Sequence, residues 1–98
     1  MKDKFLSSLG LARRAGAVSV GAEAVLKSIR SRRAALVFAA KDISAQSFKK
    51  LATSTEYYNV PLKRVDYTMA ELSEALGVTH NVAACSVHQS TIVNLFLQ

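Results

Sequence analysis

Apolar residues recur at Phe5, Leu9 and Ala12, the i, i+4, i+7 spacing that puts them on one face of a helix over about residues 3 to 15. Gly16, two residues after the cationic pair Arg13-Arg14, stands where glycine is favoured just past a helix end. Ala17 to Val20 is short and β-branched at alternate positions, which predicts a brief strand. Gly21 opens a second helix with the stripe Ala22, Val25, Leu26 and Ile29. It ends near Arg30, Arg32 and Arg33, cations that complement the negative end of the helix dipole. Ala35-Leu36-Val37-Phe38-Ala39-Ala40 has no polar alternate, the pattern of a strand covered on both faces. Lys41-Asp42-Ile43-Ser44 breaks that run, and Ser44 can cap a third helix carrying Phe48, Leu51 and Ala52. Asn59 and Pro61 close this helix, and Leu62 to Val65 predicts a third strand. Thr68-Met69-Ala70-Glu71 matches a capping box at the head of a helix lined by Met69, Leu72 and Leu76 and ended by Gly77. Val82 to Val87 predicts a fourth strand, and Ile92, Leu95 and Phe96 line a final helix.

Helices alternating with strands predict the α/β class: a three-layer α/β/α sandwich around a small, largely parallel or mixed sheet of about four strands. The spacing leaves the strand order open. The chain has 98 residues, half of them hydrophobic, with neither repeats nor a linker, so a single domain over residues 1–98 is expected. The longest apolar run, Ala34 to Ala40, is far below the ~20 residues that cross a bilayer. Arg13 and Arg14 interrupt any signal-type segment after Met1. The expectation is a soluble, cytoplasmic protein without a membrane partner.

Charge changes this picture. All thirteen Lys and Arg residues lie between Lys2 and Arg64, where only four acids accompany them, a net +9. The remaining residues carry Asp66, Glu71 and Glu74 and no base. Such a concentrated positive field attracts polyanions, of which nucleic-acid backbones are the commonest in a cytoplasm.

Reactive chemistry is scarce. The glycines at 10, 16, 21 and 77 are scattered at element ends and form no phosphate-binding loop. There is no Gly-x-Ser-x-Gly elbow. Cys85, the sole cysteine, lies within an apolar strand and reads as a packed thiol. His80 and His88 flank that strand without a carboxylate nearby in sequence, and the seven acids are not spaced for a metal. No catalysis, cofactor or metal is expected. What stands out is polar residues at strand-to-helix junctions: Gly21 with Glu23 and Lys27 at a helix start, and Lys41-Asp42 after the buried strand. Ligands of open α/β sheets gather at such strand ends.

Leu11-Ala12-Arg13-Arg14-Ala15-Gly16-Ala17-Val18-Ser19-Val20-Gly21, with Lys27 six residues on, resembles the opening of the ribosomal protein L7Ae/L30e family. Ala35 to Asp42 resembles its second-strand segment, and Tyr58-Asn59-Val60-Pro61 the approach to its third. Leu72 to Gly77 and Val82 to Val87 are similar to its closing helix and strand. The short length and the Glu56 to Pro61 stretch look most like the bacterial branch, small proteins that accompany ribosomes or other structured RNA. The resemblance implies an α/β/α sandwich that binds kink-turn RNA, a bulged and sharply bent duplex with tandem sheared G·A pairs. It implies that the second helix start enters the groove at those pairs and that the loop before the last strand covers the bulge. Gly21 and Lys27 match the family pattern Gly-x-Asn-Glu-x-x-Lys, whereas Glu23 and Ala24 replace its Asn and Glu. An ionised Glu23 can only accept hydrogen bonds, and Ala24 offers none.

Resemblance and junction chemistry together give an expected RNA site of Gly21, Ala22, Glu23, Lys27, Arg30, Lys41, Asp42, His80, Asn81 and Val82, and charge gives Arg13, Arg14, Arg32 and Arg33 as a phosphate field. Gly21, Glu23, Lys27, Lys41, Asp42 and His80 are expected to converge on one face, because each adjoins a predicted strand at a loop end. The last loop aligns in two ways, and His80, Asn81 and Val82 are expected at its tip. The implied partners are structured RNA of the kink-turn kind, ribosomal RNA among the candidates, and ribosomal proteins. The alternative is a protein-interaction module on the same scaffold, its RNA binding weakened by Glu23 and Ala24. A small enzyme using the strand-end cleft is a third reading.

Overall fold

A computed structural model describes residues 4–88 and residue 96. Along the chain run α1 (Lys4–Arg14), β1 (Val18–Val20), α2 (Ala22–Arg30), β2 (Ala34–Ala39), α3 (Ala45–Tyr58), β3 (Leu62–Arg64), α4 (Met69–Leu76) and β4 (Ala84–His88). Phe96 is helical, while Ile92 and Leu95 lie outside the described residues. The fourth strand starts two residues later than its apolar pattern suggests and runs on to His88. Val82 and Ala83 belong to the loop before it.

The four strands form one mixed sheet in the order β1-β4-β2-β3. β2 pairs with β3 in parallel, and β4 lies antiparallel to both β1 and β2. The central position of β2 explains its unbroken apolar run: both of its faces are covered. Leu36, Phe38 and Ala40 face a cluster that includes Leu6, Leu9, Leu72, Leu76, Val82 and Cys85. Val37 and Ala39 face the other, built on Val25, Ile29, Leu51 and Ala84. Hence α1 and α4 cover one face of the sheet and α2 and α3 the other, a three-layer sandwich. Phe5 secures α1 by packing edge-on against Phe38 at 4.9 Å and stacking on Tyr67 at 5.1 Å between ring centres. Gly10 is not at an element end as its pattern suggests. It sits inside α1, where a Cβ would stand 3.0 Å from the Ala75 carbonyl oxygen, so glycine lets α1 and α4 approach closely.

Helix ends follow local chemistry. Ser44 accepts a hydrogen bond from the Ser47 amide, and Thr68 and Glu71 close the capping box with bonds of 3.1 and 2.8 Å. All four helices α1 to α4 finish in the same turn. The amide of Ala17 reaches the Ala12 carbonyl, that of Arg33 reaches Ser28, that of Val60 reaches Thr55 and that of Val78 reaches Ser73. This turn requires a left-handed residue, and Gly16, Arg32, Asn59 and Gly77 occupy it at φ 75, 63, 58 and 75°. Glycine and asparagine are ordinary there. Arginine is not.

Candidate nucleic-acid interface

Because β4 runs against the other three strands, its amino end shares one edge of the sheet with the carboxyl ends of β1, β2 and β3. Backbone bonds stitch this edge together. The Gly21 amide donates to the Ala84 carbonyl at 2.9 Å, the Ala40 amide to Ala83 at 2.9 Å, and the Lys41 amide to Tyr67 at 2.8 Å. Residues 21, 41–42 and the 78–83 loop, far apart in sequence, therefore lie at the same end of the molecule. His80 and Asn81 are exposed there, and Asn81 lines a shallow cavity with Thr79, Ala70 and the acids Glu71 and Glu74.

The start of α2 is the most open helix end of this edge. Gly21 adopts φ 96°, ψ 151°, and no side chain caps the helix, in contrast to Ser44 on α3 and Thr68 on α4. A Cβ at Gly21 would meet nothing within 4 Å, so the backbone angle and not crowding demands glycine. First-turn amides without a capping side chain, at the positive end of the helix dipole, favour an anion. Glu23, Lys27 and Arg30 form the exposed stripe of α2 at i, i+4 and i+7, with Ala22 half-buried beside it, while Val25 and Ile29 are buried on the sheet side. Between this helix and the β1 edge runs a groove of about 290 Å³ lined by Ser19, Ala24, Lys27, Ser28, Ser31 and Arg33. Lys27 and Arg33 bound it with positive charge.

Two expectations change in three dimensions, and one further residue gains a structural role. Val82 is not at a loop tip. It is 1% exposed inside the cluster with Leu72, Leu76 and Val87, because an apolar side chain next to the sheet edge gains more from burial than from solvent. The cations do not form one field either. Arg13 and Arg14 end α1 ahead of β1, and Arg32 and Arg33 lie in the turn ahead of β2, so all four sit at the opposite end of the sheet from Gly21. Their pattern places them correctly at helix C-termini, but those termini point away from the strand ends. Asp42, finally, acts as a structural tie. Its Oδ1 accepts from the Met69 amide at 2.8 Å, joining the turn after β2 to the first turn of α4. We expect Asp42→Ala to lower stability by about 0.5–2 kcal/mol, as for other lost helix-start acceptors, measured by urea unfolding. Its neighbour Lys41 meets Asp66 at 3.5 Å on the surface, a contact of little energetic weight.

Two candidates for chemistry are occupied otherwise. Burial pushes the Cys85 thiol up to about 12, which suppresses the thiolate on which nucleophilic reactivity depends. His88 lies at the far end of β4 from Gly21, with its Nε2 2.9 Å from the Ser19 hydroxyl. Burial first, and the Arg33 charge second, lower its pKa below the usual imidazole value. The buried Ser28–Ser86 hydroxyl pair at 2.8 Å, which links α2 to the central sheet, has no signal in the sequence beyond two serines at apolar-facing positions.

Residues 3–95 match the family described as Ribosomal protein L7Ae/L30e/S12e/Gadd45. The chain is 38% identical over 81 residues to the RNA-binding protein YlxQ of Bacillus subtilis (strain 168), covering 83% of this chain and 80% of that one. It is 33% identical over 81 residues to the RNA-binding protein YlxQ of Enterococcus faecium, covering 83% and 78%. Among solved structures it superposes on a protein of unknown function from Bacillus halodurans C with a TM-score of 0.85, 29% identity and coverage of 99% and 100%. The Giardia lamblia 15.5kD RNA binding protein gives a TM-score of 0.80 over 96% of this chain and 79% of that one, at 21% identity, a likeness of fold. The alternation of elements, the mixed four-stranded sheet and the match along almost the whole chain place this protein in the L7Ae/L30e/S12e/Gadd45 family.

Proposed function

We propose that the protein binds structured RNA of the kink-turn kind, without catalysis, through the α2 start and the loop before β4. One observation carries the reading: an uncapped helix start with exposed Glu23 and Lys27 lies at the same sheet edge as the exposed His80 and Asn81, and Arg30 continues the exposed stripe at the far end of α2. In this reading the Gly21 turn and the first-turn amides approach a phosphate. Lys27 and Arg30 track the backbone along the helix, and His80 and Asn81 touch an unstacked nucleotide. Positive charge is on the α2 side, while Glu71 and Glu74 flank the loop, so α2 supplies most of the affinity and the loop supplies shape. The kinship to two proteins named for RNA binding supports this reading. The ribosomal proteins in the family description favour ribosomal RNA as target, ribosomal proteins as neighbours and the cytoplasm as compartment.

The test is a salt titration of binding to one kink-turn duplex and one straight duplex. The kink-turn should bind more tightly, with log K falling steeply against log salt. Lys27→Ala and Arg30→Ala should each reduce that slope by roughly one. Equal affinity for both RNAs, or a slope untouched by either substitution, would refute the reading. It would then favour a protein-interaction module, for which the acid-lined cavity between α4 and residues 78–81 is the specific observation.

A further inference from the structure

We propose a second nucleic-acid contact at the opposite end of the molecule, where Arg32, Tyr57 and Tyr58 form a stacking platform for unpaired bases of single-stranded RNA. It lies outside the α2-start interface: the two ends of β2, six residues long, are about 20 Å apart at the usual strand rise.

Three independent observations meet there. The first is aromatic. Tyr57 is 79% exposed, the larger of the two strongly exposed big apolar side chains among the described residues. Its ring packs edge-on against Tyr58 at 4.9 Å, and the Arg32 guanidinium lies over the Tyr58 ring at 5.3 Å. A guanidinium, a ring held in contact with it and a second ring left open to solvent make the combination that stacks bases without reading their edges.

The second observation is a cavity. Arg32 and Tyr58 line a cleft of about 350 Å³ with Ile29, Ala34, Asn59 and Val60. Its volume lies in the range of small-ligand clefts. Arg32 is the charged residue of the lining, and no acid among the described residues lines the cleft. A ligand with planar rings and negative charge matches this lining better than an apolar or cationic one.

The third observation is the backbone. The same helix-ending turn occurs four times among the described residues, and its left-handed position holds Gly16, Asn59, Gly77 and Arg32. At φ 63° a long side chain with a Cβ is disfavoured where glycine carries no penalty. An arginine at a left-handed position, where the other three turns have glycine or asparagine, points to a role for its side chain. Its cation lies over Tyr58 where both residues line the cleft, the place at which a ligand would meet it.

The experiment uses the whole chain and short single-stranded oligoadenylate, with fluorescence anisotropy as the readout and a kink-turn duplex without unpaired tails as the parallel probe. Tyr57→Ser should weaken oligoadenylate binding at least ~fivefold, the loss expected for one base–aromatic stack. Arg32→Gly should weaken it comparably while leaving the melting temperature unchanged or raised, because glycine relieves the left-handed residue. Neither change should alter binding of the tail-free kink-turn, whereas Lys27→Ala should weaken the kink-turn more than the oligoadenylate. The two sites can therefore fail separately: a protein indifferent to kink-turns but sensitive at Tyr57 retains this second contact. Oligoadenylate binding that is absent, or unchanged in Tyr57→Ser, overturns the proposal. So does Arg32→Gly that lowers the melting temperature with no loss of binding, which would make the arginine structural. Equal sensitivity of Tyr57→Ser toward polyglutamate would reassign the platform to an acidic protein partner.

Discussion

Glu23→Asn combined with Ala24→Glu should tighten binding to a kink-turn RNA by tenfold or more, with little change for a straight duplex. The reason is the difference in what the two residue pairs offer at the α2 start. Glu23 is exposed on the stripe shared with Lys27 and can only accept while ionised, adding negative charge where phosphates would approach. Asparagine supplies a donor and an acceptor without that charge. Ala24 lines the groove beside Ser19, Lys27 and Ser28, whose volume of about 290 Å³ has room for a longer side chain. A glutamate at that position would present an acceptor to a guanine amino group and lie three residues before Lys27, the spacing of a helical ion pair. By analogy with direct readout in DNA, one good bidentate contact is worth about 1–3 kcal/mol, hence the tenfold expectation. Isothermal titration of both RNAs decides it: no gain, or the same gain on both, would mean that this helix start does not read sheared pairs.

Leu72→Ala should produce the largest loss of stability, about 2–5 kcal/mol, and lower the melting temperature by roughly 10 °C or more. Leu72 is fully buried in the cluster with Leu9, Phe38 and Leu76. The α4 helix that carries it has eight residues, too short to stand without tertiary packing. Its first turn donates the Met69 amide to Asp42, and the loop holding His80 and Asn81 folds back along it. Loosening α4 therefore reaches the interface from behind. Below its melting temperature the variant should keep the Lys27-dependent salt slope, since α2 packs on the opposite face of the sheet. A calorimetric shift of only a degree or two would show that the α1–α4 layer is not the main anchor.

Local signals in the chain match the structure closely, and each departure has a physical cause. The capping box at Thr68, the turn at Asn59 and the stripe of α2 depend on neighbours within four residues, which periodicity and side-chain chemistry record directly. Gly10 departs from its pattern because a close approach between two helices leaves no trace in its own neighbourhood. Val82 departs because whether an apolar residue beside a strand lies in a loop tip or under the sheet depends on the packing partner, here Leu72 and Leu76. Arg32 gives no warning, since a left-handed arginine looks like any other charge in a basic run.

The order of elements, the double burial of β2 and the concentration of positive charge in the first two-thirds of the chain follow from the sequence alone, because each is a matter of composition or of spacing along one segment. Which ends meet is another matter. A helical crossover can return a strand on either side of its predecessor, and a strand has no local mark for its direction. The antiparallel placement of β4 between β1 and β2 is settled only when its residues are buried on both faces at once. That single placement brings Gly21 and the His80 loop to one edge, sends Arg13, Arg14, Arg32 and Arg33 to the other, and so turns one basic chain into a molecule with two distinct ends.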